Sequence, residues 1–574
     1  MMKFEITDDN RPFLDARGKV ILNACPGSGK TSAIAYKLSM LISECEAQFG
    51  NYSGIACLSF TNVAKDEIAE KFKILTGNSL RYPHLVSTID SFINQYITLP
   101  FYYLRGFPCQ RPNIMNSVDF LDQIELGKFY SKTKKPLHRI YQPSKLGIEY
   151  DGSYTWNGHY PNEENVDIGI FKQYAKKYKE WQFEKGYLNN DDSTFAACQL
   201  LKRFPEIGRC LVERFPYIII DEAQDTSEIQ YSIFDSLILA GLRNVEFVGD
   251  PYQCLYEFRN AKPELFMARF NDRKNWKGLT FKDCRRSSQH IVNAYDMLRN
   301  ISPQKISSIC KHPTNHKLKV IVYDESEPNN LLERYYKLVD PTAKNVILVR
   351  GETHLEQFGA SPNSENPWKS GLAKMLIEAV GHFKENKLKS CIDMLRKFLV
   401  EIKLPKADYN ERRKYYEEIF TEEATNMNLS AFIRKIPSLD NTISTWHCQV
   451  TSCIEDFFGI KVDLQLKQKK GKPYYEQNLG DMFFPTVTTL YPVSTIHRVK
   501  GMTFGSILLV LSGGGNNNTI SLSDFFPQVG FLSESQRLIY VALSRPESLC
   551  CIAIPDDIPY IEIVARLGAD IEFA

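Results

Sequence analysis

Short, mostly apolar runs recur along the chain, and polar residues follow several of them. The runs lie at residues 19–22, 56–60, 217–220, 245–248, 346–349, 507–510 and 551–554. Buried parallel strands appear in a sequence as nearly continuous apolar segments, and ligands of open α/β sheets bind at the carboxyl ends of the strands. The pattern therefore predicts an α/β protein with parallel sheets, whose functional residues follow the strands.

The loop after the first run has the composition of a phosphate-binding loop. Residues 24–31 read Ala-Cys-Pro-Gly-Ser-Gly-Lys-Thr, and apolar residues at helical spacing follow, so the loop joins a strand to a helix. Backbone amides at the positive end of that helix would surround the phosphates, Lys30 would reach the β- and γ-phosphates, and Thr31 would hold Mg²⁺. The predicted nucleotide contacts in this loop are Ala24, Gly27, Ser28, Gly29, Lys30 and Thr31. The alternative interpretation is a glycine-rich turn without a ligand.

A second run delivers two adjacent carboxylates to the same region. Residues 217–220 are Tyr-Ile-Ile-Ile, and Asp-Glu-Ala-Gln-Asp follows at residues 221–225. Together with the loop, this pair predicts a Mg²⁺-dependent nucleoside triphosphatase. The Glu-Ala-Gln-Asp ending indicates a motor that moves along nucleic acid.

Length and composition restrict the class of protein. A chain of 574 residues is too long for one core and suggests about four units of ordinary domain size. A hydrophobic content of 43% excludes a disordered chain. No apolar run approaches the roughly 18 residues of a membrane span, and the N-terminus has no apolar signal core, so we expect a cytoplasmic protein that has no membrane partner.

Charge and cysteine content change this picture little. The net charge of +2 gives no overall attraction to nucleic acid, so any such binding requires a local groove. The fourteen cysteines include no C-x-x-C pair, which favours reduced core cysteines over a zinc or iron–sulfur site.

The later apolar runs predict a second sheet that has no phosphate loop of its own. Two arginines associated with it, Arg286 and Arg545, stand at the start of one predicted helix and the end of another. A single phosphate loop and arginines on a second sheet suggest a nucleotide held between two domains, so that hydrolysis changes their separation. The alternative for each arginine is a surface ion pair.

The ordered motifs of the chain resemble those of superfamily 1 DNA helicases of the UvrD, Rep and PcrA type. The matching segments, from motif I to motif VI, are residues 27–31, 59–67, 86–92, 221–225, 248–259, 284–288, 493–501 and 536–545. The resemblance implies an α/β fold of two RecA-like parallel-sheet domains, each with a mainly helical insertion. It places domain 1A at residues 1–100 and 189–278, insertion 1B at 101–188, domain 2A at 279–355 and 486–574, and insertion 2B at 356–485.

The resemblance also implies roles for individual side chains. Asp221 would hold Mg²⁺ with Thr31, and Glu222 would polarise the attacking water. Gln253 would sense the γ-phosphate, which Lys30, Arg286 and Arg545 would neutralise. The implied DNA contacts are Thr61, Asn62, Thr88, Phe92, Phe258, Arg259 and His497. Phe258 stands where the family carries a Trp that stacks on a base; the alternative is an ordinary core phenylalanine.

Three departures from the family pattern concern the nucleotide base. Members of the family have a Gln upstream of the phosphate loop that reads adenine. Here the nearest polar candidates for that position are Asp9 and Asn10. Arg285 replaces the stacking Tyr, and Thr503 replaces the Glu that reaches the ribose. With the phosphate machinery intact, we expect an altered base pocket, to which Asn10 and Arg285 contribute, rather than an inactive enzyme.

Two functions follow from the resemblance. The first is an ATP-dependent translocase and helicase that moves 3′-to-5′ on single-stranded DNA or 3′-tailed duplex. The second is a DNA- or nucleotide-sensing ATPase that regulates a partner nuclease, as in antiphage systems of the Gabija type. A neighbouring or co-purifying nuclease would favour the second function, and robust unwinding by the isolated chain would favour the first.

Overall fold

The computed structural model describes residues 4–114, 129–255, 261–299, 304–351, 354–355, 358, 367–384, 387–405, 407, 411–412, 415–416, 418–419, 422–467, 478–483, 489–513, 519–526, 531–568 and 570–574. The chain forms two compact units. The first comprises Met1–Leu348 with Ile496–Ala574, and the second comprises Val349–Thr495.

A six-stranded sheet organises the N-terminal part of the first unit. Its strands are β1 (Lys19–Ala24), β2 (Ile55–Ser59), β3 (Leu85–Thr88), β4 (Tyr217–Ile220), β5 (Asn244–Gly249) and β6 (Lys277–Phe281). They lie in the order β6-β1-β5-β4-β2-β3, and every neighbouring pair is parallel. Alternate residues enter different cores: Ile21 packs on one face, whereas Val20 and Leu22 pack on the other.

A second six-stranded sheet follows, formed mostly by residues of the same unit. Its strands are β7 (Leu318–Tyr323), β8 (Asn345–Val349), β9 (Val493–Thr495), β10 (Phe504–Val510), β11 (Pro546–Pro555) and β12 (Ile571–Phe573), in the order β9-β8-β10-β11-β7-β12. The pairs β8–β10, β10–β11, β11–β7 and β7–β12 are parallel. Two large parallel sheets with helices confirm the predicted α/β class with two RecA-like domains.

Helices cover both sheets of the first unit. They are Arg11–Asp15, Lys30–Phe49, Asn62–Thr76, Ile89–Ile93, Leu99–Phe101, Leu137–Ile140, Ile168–Lys185, Asn190–Arg203, Pro205–Arg214, Glu228–Leu239, Pro263–Asn271, Gln289–Asp296, Pro328–Leu338, Glu534–Leu543 and Tyr560–Leu567. The segment predicted as insertion 1B also carries two small sheets, in which Asn113–Ile114 pairs with Tyr187–Leu188 and Leu146–Ile148 pairs with Tyr154–Trp156. Within the described ranges, no helix is both long enough and apolar enough to span a bilayer.

The helix Lys30–Phe49 is fixed to the first sheet by a buried charge pair. Lys37 lies 2.6 Å from Glu246 in β5, and both side chains are almost completely buried. Lys37 Nζ also donates to the carbonyl oxygen of Phe13, over 2.7 Å. Burial lowers the pKa of Lys37 and raises that of Glu246, although each group partly offsets the effect on the other. The pair fixes the rotation of the helix that begins at the phosphate loop.

The second unit contains the segment predicted as insertion 2B and is helical in its described parts. Its helices are Leu372–Lys384, Leu388–Lys403, Glu423–Phe432, Ile443–Phe458 and Leu479–Phe483. Trp368 and Trp446 meet edge to face at the centre of its core, with ring centroids 5.5 Å apart. In the first unit, the predicted boundary at residue 278 lies inside β6. The sequence of this strand, Lys-Gly-Leu-Thr-Phe, has no continuous apolar run from which the strand could have been predicted.

Candidate active site

The carboxyl ends of three neighbouring strands bring the predicted nucleotide residues together. The phosphate loop follows β1, Asp221 follows β4, and Asp250 follows β5, which lies between these two strands. Lys30 begins the helix after the loop, and its Nζ lies 3.4 Å from Oε1 of Glu222. Two residues separated widely in the sequence therefore meet at one edge of the sheet.

The loop conformation depends on two glycines. Gly27 has φ +72° and Gly29 has φ +85°, the left-handed region in which glycine is favoured. A Cβ atom at Gly27 would lie 2.7 Å from the Cβ of Arg286, so the segment after β6 approaches the loop closely. Ser28 closes the turn by donating from Oγ to the carbonyl oxygen of Cys25, over 2.7 Å.

At the end of β4, Asp221 is buried, whereas Glu222 is partly exposed and has a strained backbone. Glu222 has φ 52°, which is unusual for a residue with a side chain and is found where function maintains it. Burial and the neighbouring Glu222 raise the pKa of Asp221 to about 7. Burial acts in the same direction on Glu222, but Lys30 and Lys500 outweigh it and lower its pKa. Lys30 and Lys500 thus favour the charged carboxylate of Glu222, and a cation at Asp221 would favour ionisation of that residue too.

Arg545, which directly precedes β11 of the second sheet, contacts Gln253, which follows β5 of the first sheet. Its Nη2 donates to Oε1 of Gln253 over 2.9 Å, and Gln253 Nε2 donates to Asp250 over 2.8 Å. Tyr540, on the helix that precedes Arg545, donates from its hydroxyl to the same carboxylate of Asp250 over 3.1 Å. A continuous hydrogen-bonded set thus connects the two sheets at the predicted γ-phosphate sensor.

Two arginines converge on this place. Arg286 donates from Nη1 to the carbonyl oxygen of Ser544 over 3.0 Å, next to Arg545 in the chain. Arg545 is 2% exposed, and its burial, together with the charge of Arg286, lowers its pKa to about 9. An anion beside both guanidinium groups would relieve this repulsion. The arrangement is suited to a phosphate group and is unlike the surface ion pairs of the alternative interpretation.

The N-terminal segment and Arg285, the predicted base side of the site, lie together. Arg285 Nη1 lies 3.2 Å from Oε2 of Glu5, and its backbone N–H donates to the carbonyl oxygen of Gly27. Asn10 Oδ1 accepts from the backbone N–H of Thr7, and its Nδ2 donates to the carbonyl oxygen of Glu5, each over 2.9 Å. Asn10 therefore shapes this segment, and its contact with a nucleotide stays a prediction.

The predicted DNA-contacting residues of the first domain lie at the carboxyl ends of β2 and β3. Thr61 and Thr88 both cap helices, accepting hydrogen bonds from the backbone N–H groups of Ala64 and Ser91. The two strands run side by side with Ser59 paired to Thr88, so these caps lie at the same sheet edge as the phosphate loop. Asn62 is exposed beside Thr61.

The remaining strand-contacting predictions have different outcomes. Phe92 is fully buried, and its ring packs against Tyr96 and Phe215. A side chain without exposed surface has no face for a base, so we assign Phe92 to the core in place of the predicted DNA contact. His497 is half-buried in the turn Ile496–Val499. Phe258 and Arg259 lie outside the described residues.

Sequence reasoning assigned no role to Lys500. Its Nζ lies 2.6 Å from Oδ2 of Asp225, with both side chains largely buried. Arg537 makes a further connection between the two domains by donating from Nε to the carbonyl oxygen of Cys254, over 2.7 Å. Both residues lie in matched motifs, but nothing in the sequence indicates which partner each would meet.

Magnesium would use a small set of protein ligands. Among the residues that the structure describes, no cluster of three or more His, Cys, Asp or Glu side chains could hold a metal ion. Thr31 and Asp221 offer oxygen atoms beside the phosphate loop, and nucleotide phosphates and water would complete the octahedral coordination that Mg²⁺ prefers. The donor set fits a metal that binds together with its nucleotide. The structure describes all fourteen cysteines, and none of them forms a disulfide.

Comparisons with known proteins agree with this geometry. Residues 7–274 match the family model of the UvrD/REP helicase N-terminal domain. A probable DNA helicase II homolog of Mycoplasma capricolum is 27% identical over 294 residues, which are 49% of this chain and 38% of the relative. ATP-dependent DNA helicase Rep of Buchnera aphidicola subsp. Schizaphis graminum is 25% identical over 58% of this chain and 49% of the relative.

A third relative, ATP-dependent DNA helicase PcrA of Staphylococcus aureus, is 23% identical over 54% of this chain and 42% of the relative. The chain thus spans about half the length, or less, of these curated relatives. Residues 7–274 therefore resemble the UvrD/REP helicase N-terminal domain, and the chain is similar over about half of its length to proteins named Rep and PcrA.

Proposed function

We propose that the chain is an ATP-dependent DNA translocase and helicase that moves 3′-to-5′ on single-stranded DNA or 3′-tailed duplex. The observation that carries this proposal is the hydrogen bond from Arg545 on the second sheet to Gln253 on the first. A triphosphate bound beside Lys30 would be met by groups from both domains. Its hydrolysis would remove the charge that draws them together.

The protein groups divide the chemistry among them. Lys30 and the amides of the phosphate loop bind the phosphates, and Thr31 with Asp221 would hold Mg²⁺. Bound Mg²⁺ would neutralise charge on the phosphate oxygens. Glu222 polarises the attacking water, since its carboxylate is charged and held beside the phosphate loop.

Charge that develops during hydrolysis is met from the second domain. Arg286 and Arg545 lie close together on that side, and Arg545 is oriented by Gln253. Preorganised cations in a buried site stabilise a transition state more strongly than solvated cations do. Closure of the two domains would complete the site, and loss of the γ-phosphate would release it.

Strand binding would use the sheet edge that also carries the nucleotide. Thr61, Asn62 and Thr88 are proposed to contact the strand from the first domain, and His497 from the second. Phe258 and Arg259 remain proposed contacts on the basis of the family resemblance alone. Stacking of an aromatic ring on a base tolerates any sequence, which suits a motor that moves along DNA. The 3′-to-5′ direction is likewise proposed from the resemblance, and a cytoplasmic location is proposed from the composition of the sequence.

One experiment tests the proposal directly. The ATPase rate of the purified chain is measured with and without single-stranded DNA, and unwinding is compared on 3′-tailed and 5′-tailed duplexes. We expect the strand to stimulate hydrolysis and the 3′-tailed duplex to be unwound. Lys30→Ala is the control for contaminating ATPases. A rate that does not respond to DNA, together with no unwinding, would reject the function.

The second candidate is an ATPase that regulates a partner nuclease. The observation that favours it is the altered base side, where Arg285 is paired with Glu5. Unwinding by the isolated chain argues against this candidate. DNA-stimulated hydrolysis without unwinding, accompanied by a nuclease that co-purifies from the native source, argues for it.

A further inference from the structure

The ion pair between Lys500 and Asp225 lies between two functional segments. One is the turn that contains His497, a predicted DNA contact, and the other is the turn that follows Glu222. Lys500 directly follows the turn Ile496–Val499, which contains His497. Asp225 ends the short turn Ala223–Asp225 that follows Glu222. The Nζ–Oδ2 distance is 2.6 Å, and the side chains are 11% and 1% exposed. Such a pair is shielded from solvent and fixes the separation of its two segments.

Gln224 links Asp225 to Glu222. Its side-chain nitrogen Nε2 lies 3.3 Å from Oδ2 of Asp225 and also donates to Oε2 of Glu222. Its oxygen Oε1 accepts from the backbone N–H of Asp250, over 3.1 Å. One acceptor and two donors are thereby used, which fixes the orientation of the amide.

The packing around Gln224 leaves this amide little freedom. Gln224 is fully buried, and a Cβ atom at Gly249 would lie only 2.2 Å from its Oε1. The amide therefore cannot turn without disturbing β5. A displacement of Asp225 would remove one of its partners and would be passed on to Glu222.

We propose that Lys500 is a positioning residue that holds Glu222 in its catalytic orientation through Asp225 and Gln224, and that it thereby couples strand contact at the turn Ile496–Val499 to ATP hydrolysis. The inference rests on the proposed strand-stimulated activity. Withdrawal of Lys500 leaves a buried carboxylate at Asp225 without its cation, and such a group rearranges. In the described part of the chain, Asp225 Oδ1 has no hydrogen-bond partner that could compensate.

The test compares Lys500→Met, Lys500→Arg and Asp225→Asn with the wild-type chain. Lys500→Met keeps the length of the side chain and removes its charge. The matched control is Lys319→Met, which breaks a 2.6 Å ion pair with Glu572 on the second sheet, away from Glu222. The measurements are kcat with and without single-stranded DNA, affinity for a non-hydrolysable ATP analogue, affinity for the strand, and Tm.

We expect Lys500→Met and Asp225→Asn each to reduce the DNA stimulation of kcat by about tenfold, a typical size for coupling between two sites. The affinities for the ATP analogue and for single-stranded DNA should both stay near wild type. Lys500→Arg should recover most of the stimulation, and the double variant should be no worse than either single variant. Lys319→Met should retain wild-type stimulation.

The outcomes separate the inference from the function on which it rests. A wild-type rate that does not rise with DNA overturns both. A stimulated wild type with full stimulation in Lys500→Met overturns the inference alone, as does a loss that Lys319→Met shares. If Lys500→Met lowers Tm enough to unfold the chain, the nearly isosteric Asp225→Asn variant decides, since normal stimulation in that variant also overturns the inference.

Discussion

Arg545 and Gln253 lie in different RecA-like domains, and the guanidinium of the first donates to the side-chain oxygen of the second over 2.9 Å. The arginine is buried, and its burial together with the charge of Arg286 lowers its pKa to about 9. The contact joins the proposed phosphate sensor, Gln253, to the arginine that is proposed to neutralise the phosphate. Several expectations depend on this relationship.

Arg545→Lys should lower kcat by about 10³-fold or more, because a lysine lacks the planar fork that can contact Gln253 and a phosphate together. ATP-analogue binding should weaken less than kcat, since Lys30 and the phosphate loop remain. Steady-state ATPase assays and analogue titration measure the two effects. Arg566→Ala, which removes a partly exposed pair with Glu562, is the control and should keep wild-type rates.

Lys30→Ala and Glu222→Gln should both abolish hydrolysis, but for different reasons. Loss of Lys30 removes a phosphate contact, so nucleotide binding should fail. Glu222→Gln should still bind ATP and hold DNA tightly, because only the activation of water is lost. Fluorescent-nucleotide binding with and without DNA distinguishes them. A Glu222→Gln variant with near wild-type turnover would show that another group activates the water.

Gly27→Ala should impair nucleotide binding as well as stability. A left-handed conformation costs an L-residue roughly 1–2 kcal/mol, and a Cβ at Gly27 also meets Arg286 at 2.7 Å. Gly152→Ala is the matched control, since Gly152 has φ +82° and nothing within 4 Å of the added atom. The Tm should fall in both variants, but ATP-analogue affinity should fall only in Gly27→Ala. Equal affinity in the two would mean that Arg286 can move away.

Phe92→Ala should destabilise the first unit by about 3–5 kcal/mol, the usual cost of removing a buried phenylalanine. The reason is its packing against Tyr96 and Phe215 in the core. Denaturant unfolding measures the effect, with the partly exposed Phe49→Ala as control. Unchanged stability together with weaker DNA binding would return Phe92 to the strand-contacting set.

GTP should support hydrolysis within about an order of magnitude of ATP, or about 1.4 kcal/mol of transition-state free energy. Discrimination between bases needs a buried polar group that the wrong base leaves unpaired. Asn10 is engaged with Glu5 and Thr7, and Arg285 is engaged with Glu5. The check is kcat/KM for both nucleotides. A thousandfold preference for ATP would show that a polar group of this segment does read the adenine edge.

Local spacing explains why the phosphate loop and the carboxylates of β4 could be predicted. Their chemistry lies within a few consecutive residues, and the adjacent apolar runs indicate the strands that position them. Lys500 and Asp225 are 275 positions apart, and neither residue type names its partner. Phe92 shows a related limit: an aromatic residue in a strand-contacting motif has the same sequence signature whether its ring faces a base or the core. β7 escaped prediction because Lys319 interrupts its apolar pattern.

The buried pair of Lys37 and Glu246 has a consequence for how salt would affect the proposed nucleotide site and the proposed DNA binding. The pair anchors the helix behind the phosphate loop inside the sheet, where dissolved ions do not reach it. DNA binding depends on contacts with a charged backbone and weakens steeply as counterions accumulate. Under the proposed function, rising ionic strength should therefore weaken DNA binding while the framework of the nucleotide site stays intact. In concentrated salt the protein would be released from DNA but would stay folded at the nucleotide site, so dilution should restore its activity.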